Sequence, residues 1–455
     1  MSLRRRLFCQ SLLGAAVAGG APKPPNIVLF LADDHGWDIV RCYGNGVIRT
    51  PNIDRLAKEG LRFTRAFAAS PTCSPSRAII YTGLHSARNG LMGNHAGSHE
   101  GLQSIAQYLK ALGYRTVLAN KTHVKPESVF DFEHVKATLP PLPERTRKYR
   151  MEGLDTKAID ALLADHMKTR RGQPLCLILA DSAPHMLWEK NRDYDPAALP
   201  LPPIAVDTPK TRTALSNYYQ DITTADRHFG EVLDSLKKHG LEKDTLTIYT
   251  SDQGPEWPRS KWTLYDSGLR VPFVARWPGR IAPGTVTDAM ISFVDVTPTL
   301  VDIAGGKPLT GLDGRSFRNV LAGTAKEFRT EIYASHSSDG TMNIFPQRCV
   351  RDLRYKYILN LHPERKWTTH FTQVDGIPDS HRDVYGTWLE KAKTDPAAAR
   401  IVRITEEHPR EELYDTKADP HELNNLAEKA DHQPVLRRMR DRMAAMRAEL
   451  RDQNE

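Results

Sequence analysis

Cysteine is scarce in this chain, with five in 455 residues. Cys9 lies in an N-terminal leader, which leaves Cys42, Cys73, Cys176 and Cys349. Four scattered thiols are too few for a disulfide framework, so a small stapled scaffold is excluded. Low-complexity tracts and internal repeats are absent, which excludes solenoids. After the leader no apolar run is long enough to span a bilayer, so no transmembrane segment is expected. Zinc-finger spacings and nucleic-acid motifs are missing too, and no nucleic-acid partner is expected. Charge of one sign is only mildly in excess, at +8. That is compatible with an anionic partner without demonstrating one. What remains is ordinary globular composition, 40% hydrophobic and 26% charged, in a chain long enough for one large domain and a smaller one.

The leader, "MSLRRRLFCQSLLGAAVAGGAPKPP", carries Arg4, Arg5 and Arg6 ahead of a short apolar stretch and small residues ending at Ala21. This is the pattern of a twin-arginine export signal over residues 1–21, and it places the mature protein in the periplasm or outside a bacterial cell. Its removal takes three positive charges with it. An export route that carries folded chains from a reducing cytoplasm also suits the low cysteine count.

Four short, β-rich apolar runs stop at polar clusters. Residues 26–35 end at Asp33, Asp34 and His35, and 114–123 end at Asn120, Lys121 and His123. Residues 174–185 end at Asp181 and His185, and 244–254 at Ser251, Asp252 and Gln253. Continuous apolar runs suit strands buried on both faces. Helical patterns at 52–60, 101–113 and 211–240 separate them. The alternation predicts an α/β fold, a large and mainly parallel sheet between helices. In such sheets ligands bind beyond the carboxyl ends of the strands, where all four clusters lie. Asp181 and Ser251 are equally well read as turn or cap residues. The adjacent Asp33 and Asp34 are not, since like charges repel unless a cation joins them. Asp33, Asp34, Asp252 and Gln253 form an oxygen-rich set that favours Ca2+, with Mg2+ as a second choice. His123 and His185 leave a transition metal as a minority alternative.

Cys73 stands in "TCSPSRAIIYTG", where Ser74 reads as a helix cap and Pro75 as the first turn. A thiol at a helix N-terminus is a candidate nucleophile, and a single cysteine is also commonly a packed core residue. A hard, oxygen-preferring cation beside it is a poor match for sulfur. "CSPSR" at 73–77 resembles the C-x-P-x-R signature of type I sulfatases, whose cysteine is converted to formylglycine. "NIVLFLADDHGW", "TPNIDRLAKEG", "YTGLHSARNG", "NKTH", "SDQG" and "KWTLYDSGLRVPF" follow in the family's order. "NKTHVKPESVFDFE", "FPQRCVRDLRYKYILNLHPE" and "EELYDTKADPHELNNLA" resemble the heparan N-sulfatase (N-sulfoglucosamine sulfohydrolase) branch, so the likeness runs from about residue 26 to 427.

The resemblance implies an alkaline-phosphatase-like fold and hydrolysis of a sulfate ester or sulfamate on a carbohydrate of glycosaminoglycan type, such as heparan sulfate. It implies a formylglycine-generating maturation enzyme as a partner. A hydrated aldehyde at 73 offers one hydroxyl to attack sulfur and a second to expel sulfate. By the same resemblance Asp33, Asp34, residue 73, Asp252 and Gln253 hold the cation, and Arg77 orients the diol. Lys121 and Lys261 contact the sulfate, His123 is a base, and His185 protonates the leaving atom. Two departures stand out. Gln253 replaces the usual Asn or His, and Lys261 replaces the arginine of the sulfamidase branch.

Beyond residue 273, "DAMISFVDVTPTLVDIAG" reads as a strand and then a helix, and Pro-rich 193–211 as a long loop. A catalytic domain over 22–328 is expected to meet a smaller α+β subdomain over 329–455. That subdomain would carry antiparallel strands at 347–352 and 355–361, a helix near 420–427 and a terminal helix at 434–451. Leu436, Met439, Met443, Met446 and Leu450 make an apolar stripe suited to docking on the body. His336 and Arg348 are candidate sugar contacts, with ordinary surface or capping roles equally open.

Overall fold

The computed structural model describes residues 23–135, 153–340, 343–372 and 381–453. The export-signal reading of 1–21 lies outside the described residues. The main sheet has eight strands: β1 (Asn26–Ala32), β2 (Leu61–Phe63), β3 (Arg115–Asn120), β4 (Glu133–His134), β5 (Leu175–Ala180), β6 (Thr245–Ser251), β7 (Phe273–Arg276) and β8 (Thr285–Thr287). Their spatial order is β8-β2-β7-β6-β1-β5-β3-β4. Strands β6, β1, β5, β3 and β4 run parallel, while β7 is antiparallel to both its neighbours, so the sheet is mixed.

Both faces are covered, which is why these strands read as unbroken apolar runs. Ile27, Leu29 and Leu31 of β1 pack on one side against helices α2 (Cys73–Thr82), α3 (Ile105–Ala111) and α6 (Val296–Ile303). Val28, Phe30 and Ala32 pack on the other against α1 (Pro51–Glu59), α4 (Thr156–Thr169) and α5 (Pro209–Lys238). The period-two alternation of a strand thus divides one segment between two cores. Capping sets the starts of two of these helices. Ser104 and Gln107 form a capping box at α3, and Thr208 caps α5 with Pro209 in its first turn.

A second sheet of four antiparallel strands follows: β9 (Glu331–His336), β10 (Gln347–Asp352), β11 (Tyr355–Asn360) and β12 (Glu411–Asp415). One face, with Ile332, Ala334, Cys349 and Ile358, packs on Phe67, Leu264 and Tyr265 of the body. The other receives the terminal helix α9 (Gln433–Glu449) through Leu436, Met439 and Met443, with Met446 and Leu450 at the margin. The stripe therefore docks on this sheet. Two helices without a counterpart in the sequence reading, α7 (His381–Ala392) and α8 (Pro396–Glu406), lie between β11 and β12.

The helix expected near 420–427 does not form. Its residues make turns, Glu422 has a positive φ of 56°, and the Asn425 side chain accepts from the backbone of Leu413 and Ala427. These local bonds compete with a helical ladder. The strand expected after 288 is cut to Ile291–Ser292.

Candidate active site

Parallel neighbours β6, β1, β5 and β3 end at the same edge, and their four polar clusters meet there. Asp33, Asp34 and Asp252 are fully buried, with carboxylate oxygens within 4.8 Å of one another. The backbone shapes this meeting. Asp34 adopts a left-handed φ of 68°, donates its N–H to Asp252 Oδ1 at 3.2 Å, and accepts from Tyr218 Oη at 2.6 Å. Ser251 Oγ accepts the His35 N–H at 2.8 Å and donates to the Gln253 carbonyl at 2.8 Å, so it shapes the loop.

Cations surround the carboxylates. Lys121 Nζ pairs with Asp33, and Lys261 Nζ lies 2.7 Å from Asp34 Oδ2. Arg77 grips Asp252 Oδ2 through Nε at 3.1 Å and Nη2 at 2.8 Å. Burial pushes the Asp33 carboxyl up, but Lys121, His185, Arg77 and Lys261 outweigh it and hold it well below the usual range. For Asp34 burial wins over Lys261, with Asp33, Glu256 and Asp252 adding to it, and the carboxyl rises well above its ordinary value. Burial and the Asp33 charge likewise push Asp252 up to about 6. Two raised carboxyls beside a lowered one are what surplus negative charge in a small volume produces.

Gln253 supplies an independent observation. Its Oε1 is buried without a hydrogen-bond partner, while its Nε2 lies 2.6 Å from Asp34 Oδ1 and 3.1 Å from Cys73 Sγ. A half-turn of the amide places the oxygen toward the carboxylates. Three carboxylates and an amide oxygen fit a hard divalent cation.

Cys73 is 1% exposed, and its Sγ lies 3.5 Å from Asp33 Oδ1. Burial pushes its thiol above the ordinary range despite Lys121 and Lys261. Helix α2 begins at Cys73 itself, with extended Thr72 before it, which corrects Ser74 as the cap. Ser74 lies inside the first turn and is held by Asn94 Oδ1 at 3.1 Å. The Thr72 hydroxyl instead meets His336 Nδ1 at 3.1 Å.

Two histidines face the cluster. His123 Nε2 lies 2.9 Å from His95 Nδ1, and its own Nδ1 is buried without a partner. Burial, then Lys121, Arg77 and His95, lowers His123 to about 2. His185 Nδ1 lies 2.6 Å from the Met186 carbonyl, which only accepts, so Nδ1 carries the hydrogen. Its Nε2 therefore faces the site, 3.9 Å from Asp34 Oδ2. Burial and Lys261 lower it to about 3. Asp181, at the end of β5, pairs with His228 at 2.7 Å and accepts the Ala183 N–H, which anchors the His185 loop.

His336 is 1% exposed between Thr72 and the Asn343 carbonyl. Arg348 is fully buried, with Nη2 at 2.9 Å from Asp452 Oδ1 and Nη1 on the His336 carbonyl. His336 thus meets the residue that precedes α2, and Arg348 holds the His336 carbonyl. Sequence reasoning missed Glu256, 3.2 Å from Lys261, and His95, which meets His123 on one side and lies 3.4 Å from Asp339 on the other, with His370 3.5 Å from Asp339 in turn. Glu256 had a signal, as the one carboxylate between Asp252 and Lys261.

Residues 25–306 match the family described as Sulfatase, and 257–395 match the one described as N-sulphoglucosamine sulphohydrolase, C-terminal. The chain is 33% identical over 431 residues to an ulvan-active sulfatase of Formosa agariphila, covering 93% of this chain and 80% of that protein. It is 28% identical to human N-sulphoglucosamine sulphohydrolase, over 94% of this chain and 91% of that protein. A structure solved in complex with its substrate D-glucosamine-2-N,6-O-disulfate superposes with a TM-score of 0.69 at 21% identity, over 95% of this chain and 99% of that one. A phosphonate monoester hydrolase of Agrobacterium radiobacter gives 0.71 at 20% identity, over 94% and 96%. The fold is alkaline-phosphatase-like. The chain belongs to the sulfatase family, near its heparan N-sulfatase branch, and is a hydrolase of sulfuric esters or sulfamates.

Proposed function

We propose that this protein is an exported sulfatase that removes sulfate from a glycosaminoglycan-like carbohydrate, with an N-sulfated glucosamine as the leading substrate. Residues 22–328 form its catalytic part and 329–455 its C-terminal subdomain. The observation that carries the reading is residue 73 at the start of α2, buried against Asp33 and Gln253 with Lys121 and Lys261 on the neighbouring carboxylates.

Asp33, Asp34, Asp252 and Gln253, together with residue 73, would hold a Ca2+ or Mg2+ ion. When bound, the cation would offset charge on the sulfuryl oxygens, and formylglycine at 73 would supply the attacking oxygen. The chain's own residues do the rest. Lys121 and Lys261 bind the sulfuryl oxygens, whose charge grows in the transition state. Arg77 fixes Asp252 in a planar, two-donor grip and orients the group at 73. His123 takes a proton at its unpartnered Nδ1. His185, its Nδ1 committed to Met186, exchanges a proton with the leaving atom at Nε2.

The test has two parts. Peptide mass analysis of protein made in its native host reads residue 73, where an aldehyde is expected; a retained thiol supports a non-catalytic glycan binder. Turnover of defined N-, 2-O-, 6-O- and 4-O-sulfated saccharides, with phosphate esters in parallel, reads the reaction. Release of sulfate from the N-sulfated sugar is expected. Cleavage of O-sulfates alone removes the sulfamate assignment, and turnover of phosphate esters alone removes the sulfatase one.

A further inference from the structure

A series of polar contacts leads away from His123. Its Nε2 lies 2.9 Å from His95 Nδ1, His95 Nε2 lies 3.4 Å from Asp339 Oδ1, and Asp339 Oδ2 lies 3.5 Å from His370 Nε2. Asp339 is buried, whereas His95 is exposed. Backbone from distant segments builds the series. Gly93–Asn94 and Ser338–Asp339 pair as a short parallel ladder, with Asp339 opposite Asn94. Asn94 Oδ1 accepts the Ser74 N–H at 3.1 Å, and the His95 N–H donates to Ser74 Oγ at 3.3 Å. His95, at a left-handed φ of 64°, is thereby tied to the first turn of α2, beside residue 73.

A neutral imidazole has one N–H and one bare nitrogen, and only the bare one can take a proton. Burial, then Lys121 and Arg77, lowers the proton affinity of His123, so its ring rests neutral. A carboxylate only accepts, so Asp339 favours the hydrogen of His95 on Nε2. His95 Nδ1 is then bare and accepts from His123 Nε2, which leaves His123 Nδ1 bare. That nitrogen is the buried one without a partner. One contact opposes this order. Asn94 Nδ2 lies 3.3 Å from His95 Nε2 and prefers it bare, and the amide cannot turn because its oxygen holds Ser74. The carboxylate prevails, because a hydrogen facing a charge is held roughly twice as strongly as one shared between neutral groups.

We infer that His95 and Asp339 are positioning residues that set the tautomer of His123 and keep its Nδ1 open for the proton it takes in the reaction. This rests on the role of His123 proposed above. The proton enters at Nδ1 and later passes from Nδ1 to water, so none travels along the series. While it is held, the ring is a cation, its Nε2–H binds His95 more tightly, and Asp339 offsets the charge.

The experiment measures kcat and KM of the matured enzyme on whichever of the defined sulfated saccharides it turns over fastest. Asp339→Asn removes the charge and His95→Ala the acceptor. Each is expected to lower kcat by about tenfold or more, a part of the 10²–10⁴ that such a base contributes, with KM little changed. His95→Gln, whose amide oxygen can accept from His123 Nε2, is expected to recover most of that loss. An unchanged kcat, a loss carried by KM, or a His95→Gln as poor as His95→Ala overturns the inference and leaves the sulfatase reading intact. Should the variants not fold, 15N NMR of histidine-labelled wild type decides, with the His123 signal identified by its loss in His123→Gln. A bare Nδ1 and a protonated Nε2 are expected, and the reverse overturns the inference. A wild type inert on every sulfated sugar overturns the proposed function and the proton-taking role with it.

Discussion

At the residue scale, the site is a charge-balance problem. Buried acids are tolerable only when cations and hydrogen bonds answer each of them. On the function proposed above, Lys261→Ala would remove one donor to the sulfuryl group and is expected to lower kcat/KM by about 10²–10³-fold, the usual loss for one such donor. Lys261→Arg is expected to restore most of it, and steady-state kinetics on the best sulfated sugar checks both. His228 offers a pH test. Burial lowers its affinity for protons, but Asp181 outweighs burial and raises it above the ordinary value. A raised folded value adds stability that is full below about 6.5, the unfolded value, and is lost as pH rises through the higher folded one. The stability gap between wild type and His228→Gln, measured by urea unfolding, is therefore expected to be wider at pH 6 than at pH 9. A gap that widens toward alkaline pH would contradict the assignment.

At the element scale, the C-terminal sheet is joined to the site segment by apolar packing and by a buried ionic cluster. Lys356 Nζ meets Asp266 Oδ1 at 2.5 Å and Glu422 Oε1 at 2.7 Å, and Arg351 meets Asp266 at 3.1 Å. Asp266 follows Lys261 by five residues, so the cluster ties the lysine's loop to β10 and β11. Lys356→Met leaves buried carboxylates without their cation and is expected to cost about 3–5 kcal/mol. Denaturant unfolding measures that cost. On the other face, Met439→Ala empties a buried position under α9, with an expected loss of about 2–5 kcal/mol by the same method. The two failures of element reading share a cause. The segments at 291–292 and 420–427 have suitable residues, but side-chain bonds to backbone and the packing of neighbours decide their shape.

At the scale of the whole molecule, the acidic pocket is expected to make the fold itself sensitive to cations. A divalent ion that binds only the folded state stabilises it by mass action, by about 2.7 kcal/mol at a hundredfold excess over its Kd. Chelation is expected to lower Tm, and titration with Ca2+ and Mg2+ to restore it and rank the two ions. Asp252→Asn is expected to shift that titration to higher concentration. If neither ion moves Tm, the carboxylate set is not a cation site. Among the described residues no helix is long and apolar enough to cross a membrane.

Apolar runs that end in acids, amides and histidines are local patterns, so the sequence alone determined the main strands, the order of the motifs and most residues at the strand ends. Hydrophobic periodicity acts over a few residues and survives without knowledge of the fold. Partnerships between distant segments do not. Glu256 against Lys261 and His185, Met186 fixing the His185 tautomer, and the meeting of His336 with Thr72 and of Arg348 with Asp452 depend on how loops close and what they bury. Only tertiary structure decided them, because the energy of a polar group is set by its neighbours in space and by its distance from water.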